Sequence, residues 1–373
     1  MHFLEDAPLS GRRVLLRIVA DVPYDLKKRP IVQDDFRLRQ VMPTIHYLLD
    51  YGASVVLLSH LGHQDESGVV EKKNSLEPIY AHLSDLLRRP IKFAPSLFGA
   101  DTQRMVEALK PGEIMALENL RFDPGEIKNS RTFASKLARY GDLYVNDAFG
   151  VSHRESASIV ALAGLLPCYG GLLLEREVQV LYSLMKNPAR PYVTIVGGVK
   201  ISDKMPTIKQ FIHKADWILV GGGVANTLLK ASGINVKDSV IDLEGLETAK
   251  EILKLGKGKL ILPIDYVWQG KSIVDIGPET RQLFKKHLNP ARTIFWSGPL
   301  GKVEDAKYRQ GSLEIAHAVT HDGATTVVGG GDTVSFVNDA NLGRLFSFIS
   351  TGGSATLEYL SGTNLPGLIA LSR

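Results

Sequence analysis

The sequence predicts an α/β fold of two doubly wound parallel-sheet (Rossmann-like) domains with a helix between them. Three observations predict it. Short apolar runs of β type alternate with amphipathic helical segments, the pattern of a parallel sheet covered by helices on both faces. The chain has 373 residues, beyond the roughly 250–300 at which one hydrophobic core stops growing, so two cores are expected. A helix-like stretch, LLLEREVQVLYSLMKNPARP at 172–191, parts the runs into two sets. The division is therefore drawn as 1–171, a linker helix at 172–187 that stops before Pro188, and 188–354.

In chain order, the first set of runs is RVLLRIVA (13–20), ASVVLLSH (53–60), IKFAP (91–95), EIMALEN (113–119) and DLYVND (142–147). The intervening segments RQVMPTIHYLLDYG and SLEPIYAHLSDLLRRP carry apolar residues at helical spacing and end at Gly or Pro, where helices stop. The second set is YVTIVGG, WILVGGG, KLILPID, TIFWSGP, TTVVGGG and FSFIST, spread over 192–351.

Composition narrows the partners. A formal net charge of +4 without any Lys/Arg block suits small anionic ligands and offers no nucleic-acid footprint. The one cysteine, Cys168, excludes an internal disulfide and a cysteine-based zinc cluster. The start, MHFLEDAPLSGRR, lacks the basic and apolar regions of a signal peptide. The longest apolar stretch, 159–174, is broken by Pro167 and too short to span a bilayer. A cytoplasmic location without a membrane partner is expected.

In open α/β sheets ligands lie outside the carboxyl ends of the strands, so the residues after each run are the informative ones. In the first set they include His60, His63, Arg121, His153 and Arg154, and Arg37 stands at a helix entry, QDDFRLR. Guanidinium and imidazole groups suit a small phosphorylated or carboxylated anion, held through forked hydrogen bonds. The second set is followed by GGVKISDK, GGGVANT, SGPLGKVE, GGGDTVS and STGGSAT, where glycine backbone at helix starts favours a polyphosphate. Lys200 and Lys204 are four apart, a spacing that places both on one face of a helix entered through Gly197 and Gly198. Asp332 reads as a helix N-cap, as a carboxylate facing a phosphate-bound Mg²⁺, or as both. The absence of G-x-G-x-x-G after any run argues against a dinucleotide oxidoreductase. The layout is one anionic ligand per domain.

Taken in order, the motifs DDFRLRQVMPTI, LLSHLG, LENLRFDPGE, YVNDAFGVSHR, IVGGVKISDK, GGGVANT, DIGPET, WSGPLG, VVGGGDT and STGG closely resemble those of phosphoglycerate kinases. The resemblance runs from near residue 11 to the C-terminus. It implies that 172–187 is a hinge helix, that a tail at 355–373 returns to the first domain, and that the chain is a monomer. It also implies reversible transfer of the acyl phosphate of 1,3-bisphosphoglycerate to Mg-ADP, giving 3-phosphoglycerate and Mg-ATP. On that basis Arg37, Lys200 and Lys204 serve the transferring phosphoryl group, and Arg17, Asp21, His60, His63, Arg121 and Arg154 hold 3-phosphoglycerate. Gly198, Gly221, Gly222, Gly223, Gly330, Gly331 and Thr333 cradle the nucleotide, Glu304 meets the ribose, and Asp332 meets the Mg²⁺.

The chain departs from the family pattern at several of these places. Val19 stands for an aspartate that meets the substrate hydroxyl, Asp21 for an asparagine, His63 for an arginine, Ser297 for an asparagine and Ser354 for a glycine. Asp21 is expected on the same side of an extended strand as Val19, where it recovers part of the lost contact. The segment after LPID is also short. The alternative these departures favour is a catalytically impaired nucleotide-binding or interaction protein on the same scaffold.

Overall fold

The computed structural model describes residues 1–28, 31–62, 74–320 and 323–372. They form two compact units, one of residues 1–178 with 364–373 and the other of residues 179–363.

In the first unit β1 (Arg13–Arg17), β2 (Ser54–Leu58), β3 (Ile91–Ala94), β4 (Ile114–Leu117), β5 (Leu143–Asn146) and β6 (Cys168–Gly170) form one sheet. All its pairs are parallel, in the order β3-β4-β2-β1-β5-β6. Val14, Leu16, Val55, Leu57 and Val145 enter one core with helices α1 (Phe36–Asp50) and α2 (Glu77–Leu87). Their neighbours Leu15, Val56, Leu58, Met115 and Tyr144 enter the other, with α3 (Ala100–Glu107) and α4 (Arg131–Ala138). Residues alternate between two cores, so both faces are covered and each run reads as continuously apolar. Every aliphatic side chain so buried stabilises the unit by roughly 1.5–3 kcal/mol. The boundary between the units falls within α5 (Leu172–Lys186).

The second unit repeats the plan. Strands β7 (Tyr192–Val196), β8 (Trp217–Val220) and β9 (Leu260–Ile261) carry helices α6 (Met205–Lys214), α7 (Gly222–Ala231) and α8 (Leu246–Leu255) between them. Two further strands, β10 (Tyr266–Gln269) and β11 (Ser272–Ile276), form a separate antiparallel hairpin. Then follow α9 (Pro278–Leu288), β12 (Thr293–Ser297), α10 (Gln310–Val319), β13 (Thr325–Gly329), α11 (Gly331–Asp339), β14 (Phe348–Ile349) and α12 (Ser354–Leu360). The sheet is parallel, in the order β14-β13-β12-β7-β8-β9. Helix α12, which the expected tail at 355–373 includes, packs on α6, where Thr207 Oγ1 donates to the Leu357 carbonyl at 2.9 Å. The stretch that joins the first unit is 364–373. Within it lies α13 (Pro366–Ala370), whose Gly367 N–H donates to the Ser152 carbonyl at 2.8 Å. Among the described residues no helix is long and apolar enough to cross a membrane.

The short segment after LPID is thus the hairpin β10–β11, and Asp265 closes it. The Asp265 carbonyl accepts the Gly277 N–H at 3.0 Å. Its carboxylate accepts the N–H groups of Glu279 (3.0 Å) and Thr280 (2.7 Å), two donors at the start of α9 with no partner inside the helix. A two-stranded hairpin is marginal alone, so anchors such as this one contribute to its order. Replacing Asp265 by Ala is expected to lower stability by about 1–2 kcal/mol, the cost of losing such a cap. The check is a lowered urea midpoint at unchanged m; an unshifted midpoint would remove the anchoring role.

Candidate functional site

The first unit gathers its cations at the carboxyl edge of the sheet. Arg17 is the last residue of β1 and is 1% exposed. Its Nε donates to Ser158 Oγ at 2.9 Å, Nη1 to the Ile18 carbonyl, and Nη2 lies 2.9 Å from His60 Nδ1. A guanidinium has only donors, so Nδ1 must accept and the ring proton sits on Nε2. Burial, then the charges of Arg17, Arg121, Arg154 and Arg37, push the His60 pKa well below its usual value. At neutral pH His60 is therefore an uncharged Nε2–H donor among arginines.

Arg121 lies in the turn after β4, buried, with its N–H on Asn119 Oδ1 (3.0 Å) and Nη1 on the Gly62 carbonyl. Burial first, then Arg154 and Arg17, lower its pKa to about 10, which leaves it charged at pH 7. Arg154, after β5, is exposed, and its Nε donates to His153 Nε2 at 3.4 Å. Burial and then Arg154 bring His153 down to about 4, so it too is neutral. Arg37 sits in the first turn of α1, half-buried, with Nη1 on the Asp21 carbonyl at 2.7 Å.

The expected partnership of Asp21 and Val19 does not form. Strand β1 ends at Arg17, and the Val22 N–H turns back to the Ala20 carbonyl at 3.0 Å, so residues 19 and 21 share no strand face. Val19 packs with Ala148, Val151 and Ile159 beyond β5, whereas Asp21 Oδ1 accepts the Gly62 N–H at 3.2 Å beyond β2. His63 lies outside the described residues.

In the second unit backbone replaces side chains. Strands β7 and β12 are neighbours, and their exits run in contact. Gly197 N–H donates to the Ser297 carbonyl (2.9 Å) and Gly198 N–H to the Pro299 carbonyl (2.8 Å). A Cβ at Gly197 would stand 2.1 Å from the Pro299 carbonyl oxygen, and one at Gly298, where φ is +91°, 2.2 Å from Gly197. Only glycine fits there. Gly222 and Gly223 press on Gly198 and Val199 in the same way, and Gly221 backs onto Leu300.

These loops floor two clefts. One, of about 580 Å³, has Val199, Val240, Leu300 and Phe336 on its walls, with Gly222, Gly223, the hairpin and the exposed Glu304. The other, of about 440 Å³, is lined by Lys204, Ser297, Gly330, Gly331, Thr333 and Ser354. They share Gly198 and Asp332. One end is thus largely apolar, and the other meets the start of α11, whose unpaired N–H groups favour anions. Thr333 is itself occupied: its Oγ1 accepts the Gly298 N–H at 2.6 Å and ties α11 to the β12 exit.

Lys200 and Lys204 do not share a helix face. Helix α6 starts at Met205, with Pro206 in its first turn. The preceding turn is held by Asp242, whose Oδ2 accepts the Ser202 N–H (3.0 Å) and hydroxyl (2.7 Å). Lys200 is consequently an exposed loop residue whose charge acts on Asp242. Lys204 is half-buried over Gly198, its Nζ 3.1 Å from where a Cβ there would lie. Burial lowers its pKa, while Asp203 and Asp332 oppose that shift. Asp332 is not the N-cap of α11, a place taken by Gly330; it is exposed in the first turn and opens into both clefts. A carboxylate at a helix start that favours phosphate is a donor Mg²⁺ takes when nucleotide phosphates supply its other ligands.

The residues that hold these groups in place escaped the sequence reading. Glu126 and Ser158, both buried, stand behind Arg17. Glu118 accepts Ser75 Oγ (2.7 Å) and the Leu76 N–H (2.9 Å) ahead of α2, and Asn119 Nδ2 donates to the Leu61 (2.8 Å) and Asn74 (3.0 Å) carbonyls. Asp147, at the β5 exit, accepts the Leu174 N–H at 2.9 Å in the first turn of α5.

The profile of the family described as phosphoglycerate kinase matches residues 4–363. The phosphoglycerate kinase of Desulforudis audaxviator (strain MP104C) is 43% identical, over 99% of this chain and 98% of that one. That of Herpetosiphon aurantiacus is 40% identical, over 99% and 98%. Among solved structures, phosphoglycerate kinase from Pyrococcus horikoshii OT3 superposes with a TM-score of 0.90 at 29% identity, covering 100% of this chain and 98% of that one. The enzyme from Coxiella burnetii gives 0.84 at 33%, covering 99% and 98%.

Protonation of the buried groups feeds into stability. Burial raises Asp147 to about 6, against about 3.9 for an unfolded aspartate. Between those values the folded state keeps a proton the unfolded chain has released. The resulting stabilisation is full below about pH 4 and is lost as pH rises through about 6. His60 acts in the opposite sense: its folded pKa is depressed, so stability falls once acid charges the unfolded imidazole below about pH 6.5. Asp147→Asn removes one of these opposed contributions. Between pH 6 and 4.5 the variant is expected to lose stability relative to wild type by up to about 1.4 kcal/mol per pH unit. Urea midpoints across that range provide the check, and parallel profiles would contradict it.

Proposed function

The chain belongs to the phosphoglycerate kinase family, and from that premise we propose how its residues divide the work. The activity is the glycolytic one: reversible phosphoryl transfer between 1,3-bisphosphoglycerate with ADP and 3-phosphoglycerate with ATP. The family works on a magnesium nucleotide. In our reading the pair of clefts meeting at Gly198 and Asp332 carries the assignment. The nucleoside lies in the larger, with Glu304 at its ribose, and the phosphates reach the smaller, toward Lys204 and the start of α11. Arg17, His60, Arg121 and Arg154 hold 3-phosphoglycerate on the first unit, and Arg37 meets the phosphoryl group in transit. Asp21, whose Oδ1 accepts the Gly62 N–H, is assigned to the same ligand.

The acceptor oxygen is a carboxylate with no proton to lose, so the chemistry asks for charge stabilisation and alignment and for no base. Arg37 and Lys204 supply positive charge where the equatorial oxygens develop it in negative form. Partial burial of Lys204 strengthens its effect, because fewer waters screen the ammonium. Asp332, together with the nucleotide phosphates, would hold the Mg²⁺, which would supply neutralisation of phosphate charge when bound. Lys200, exposed in its loop, approaches the phosphates only once a ligand draws it in. The chain is taken to act as a cytoplasmic monomer.

Coupled measurement of ATP formation from 1,3-bisphosphoglycerate and ADP tests the reading. Lys204→Ala is expected to lower kcat by about 100-fold or more, the scale of one lost charge-stabilising contact, with little change in melting temperature. Unchanged kcat would dismiss Lys204 from the transfer step.

A further inference from the structure

Behind the cations of the first unit runs a buried chain of hydrogen bonds that the reaction scheme does not use. Glu126 lies in the DPGE turn after β4, and Ser158 in the short π-helical turn Ala157–Ala161 after β5. Their relative exposures are 1% and 0%. Glu126 Oε1 accepts Ser158 Oγ–H at 2.6 Å, and Oε2 accepts the Ser158 N–H at 2.9 Å. The Glu126 carbonyl accepts the Ala157 N–H at 2.7 Å, and Tyr144 Oη donates to the Ser158 carbonyl at 2.6 Å. With its proton given to Glu126, Ser158 Oγ presents a lone pair, which takes Arg17 Nε–H at 2.9 Å. Arg17 in turn donates to His60 Nδ1.

We propose that Glu126 and Ser158 are positioning residues for the acceptor site, which act through Arg17 to hold His60 as a neutral ring with its proton on Nε2. The inference rests on the phosphoglycerate kinase reading for its ligand, but the relay itself can be observed without one. Direction runs one way along the chain. The carboxylate can only accept, so the serine must donate to it; the guanidinium can only donate, so the serine must accept from it and the imidazole must accept at Nδ1. A fully buried guanidinium also needs a countercharge, and Glu126 provides one at one remove. The groups facing Arg17 are Glu126, Tyr144, Tyr80 and Asp21; those facing His60 are Arg17, Arg121, Arg154 and Arg37. His60 Nε2 has no partner among the described residues and is the ring's remaining donor for a ligand oxygen.

The first test is on the unmodified protein. Long-range ¹H–¹⁵N correlation spectra of the histidine rings, with His60 assigned by comparison with His60→Gln, should show protonation at Nε2 alone from pH 6 to 8. A ring protonated at Nδ1, or at both nitrogens at pH 6, overturns the proposal. The second test uses Ser158→Ala and Glu126→Gln. Each is expected to raise KM for 3-phosphoglycerate about 10-fold, the scale of one charge-assisted hydrogen bond, with KM for ATP and kcat at saturation held within about twofold. In both variants the His60 spectrum should become a tautomer mixture or titrate nearer neutrality, and Ser158→Thr, which keeps the hydroxyl, should restore the wild-type spectrum. A wild-type His60 signature in folded Ser158→Ala and Glu126→Gln also overturns the proposal. An inactive protein with the wild-type signature intact would instead count against the enzymatic reading alone.

Discussion

Parallel strands all leave a sheet at one edge, and that constraint fixes where the chemistry of this protein lies. Arg17, His60, Arg121 and Arg154 are distant in sequence, yet each ends or follows a different strand of the same sheet. The glycines at 197–198, 221–223 and 330–331 follow three strands of the second sheet. Strand interiors are consumed by two cores, so only the exits are free to carry polar groups.

The two units present positive potential by different physics. In the first, charge comes from side chains, and burial sharpens it: His60 and His153 are held neutral while Arg121 keeps its charge. This separation gives a small ligand both cations and a neutral donor. In the second, the positive features are the N–H groups at the start of α11 and the half-buried Lys204. Backbone donors need no rotamer to be fixed when a long polyphosphate arrives.

The fold and the strand exits were legible because they depend on periodicity and on glycine, both local signals. What misled was local geometry set from afar. The four-residue spacing of Lys200 and Lys204 suggested one helix face, but Asp242, nearly forty positions on, holds that segment in a turn. Asp21 was expected beside Val19 on a strand that in fact ends at Arg17. Glu126 and Ser158 gave no signal, since a Glu in a turn and a Ser in a short helical turn are ordinary until the fold brings the two together. Thr333, expected to cradle the nucleotide, is in this structure a tie between α11 and the β12 exit.

The glycine floor of the second unit has a consequence for how this protein can change over evolutionary time. At Gly197 and Gly298 backbone touches backbone, and a single added methyl collides. Such a surface has no side chain to exchange, so natural variation cannot retune it residue by residue. Diversity must collect instead in the walls, above all in the β10–β11 hairpin, which is tethered by Asp265 and lies outside the six-stranded sheet. There, length and sequence can drift while the floor stays the same.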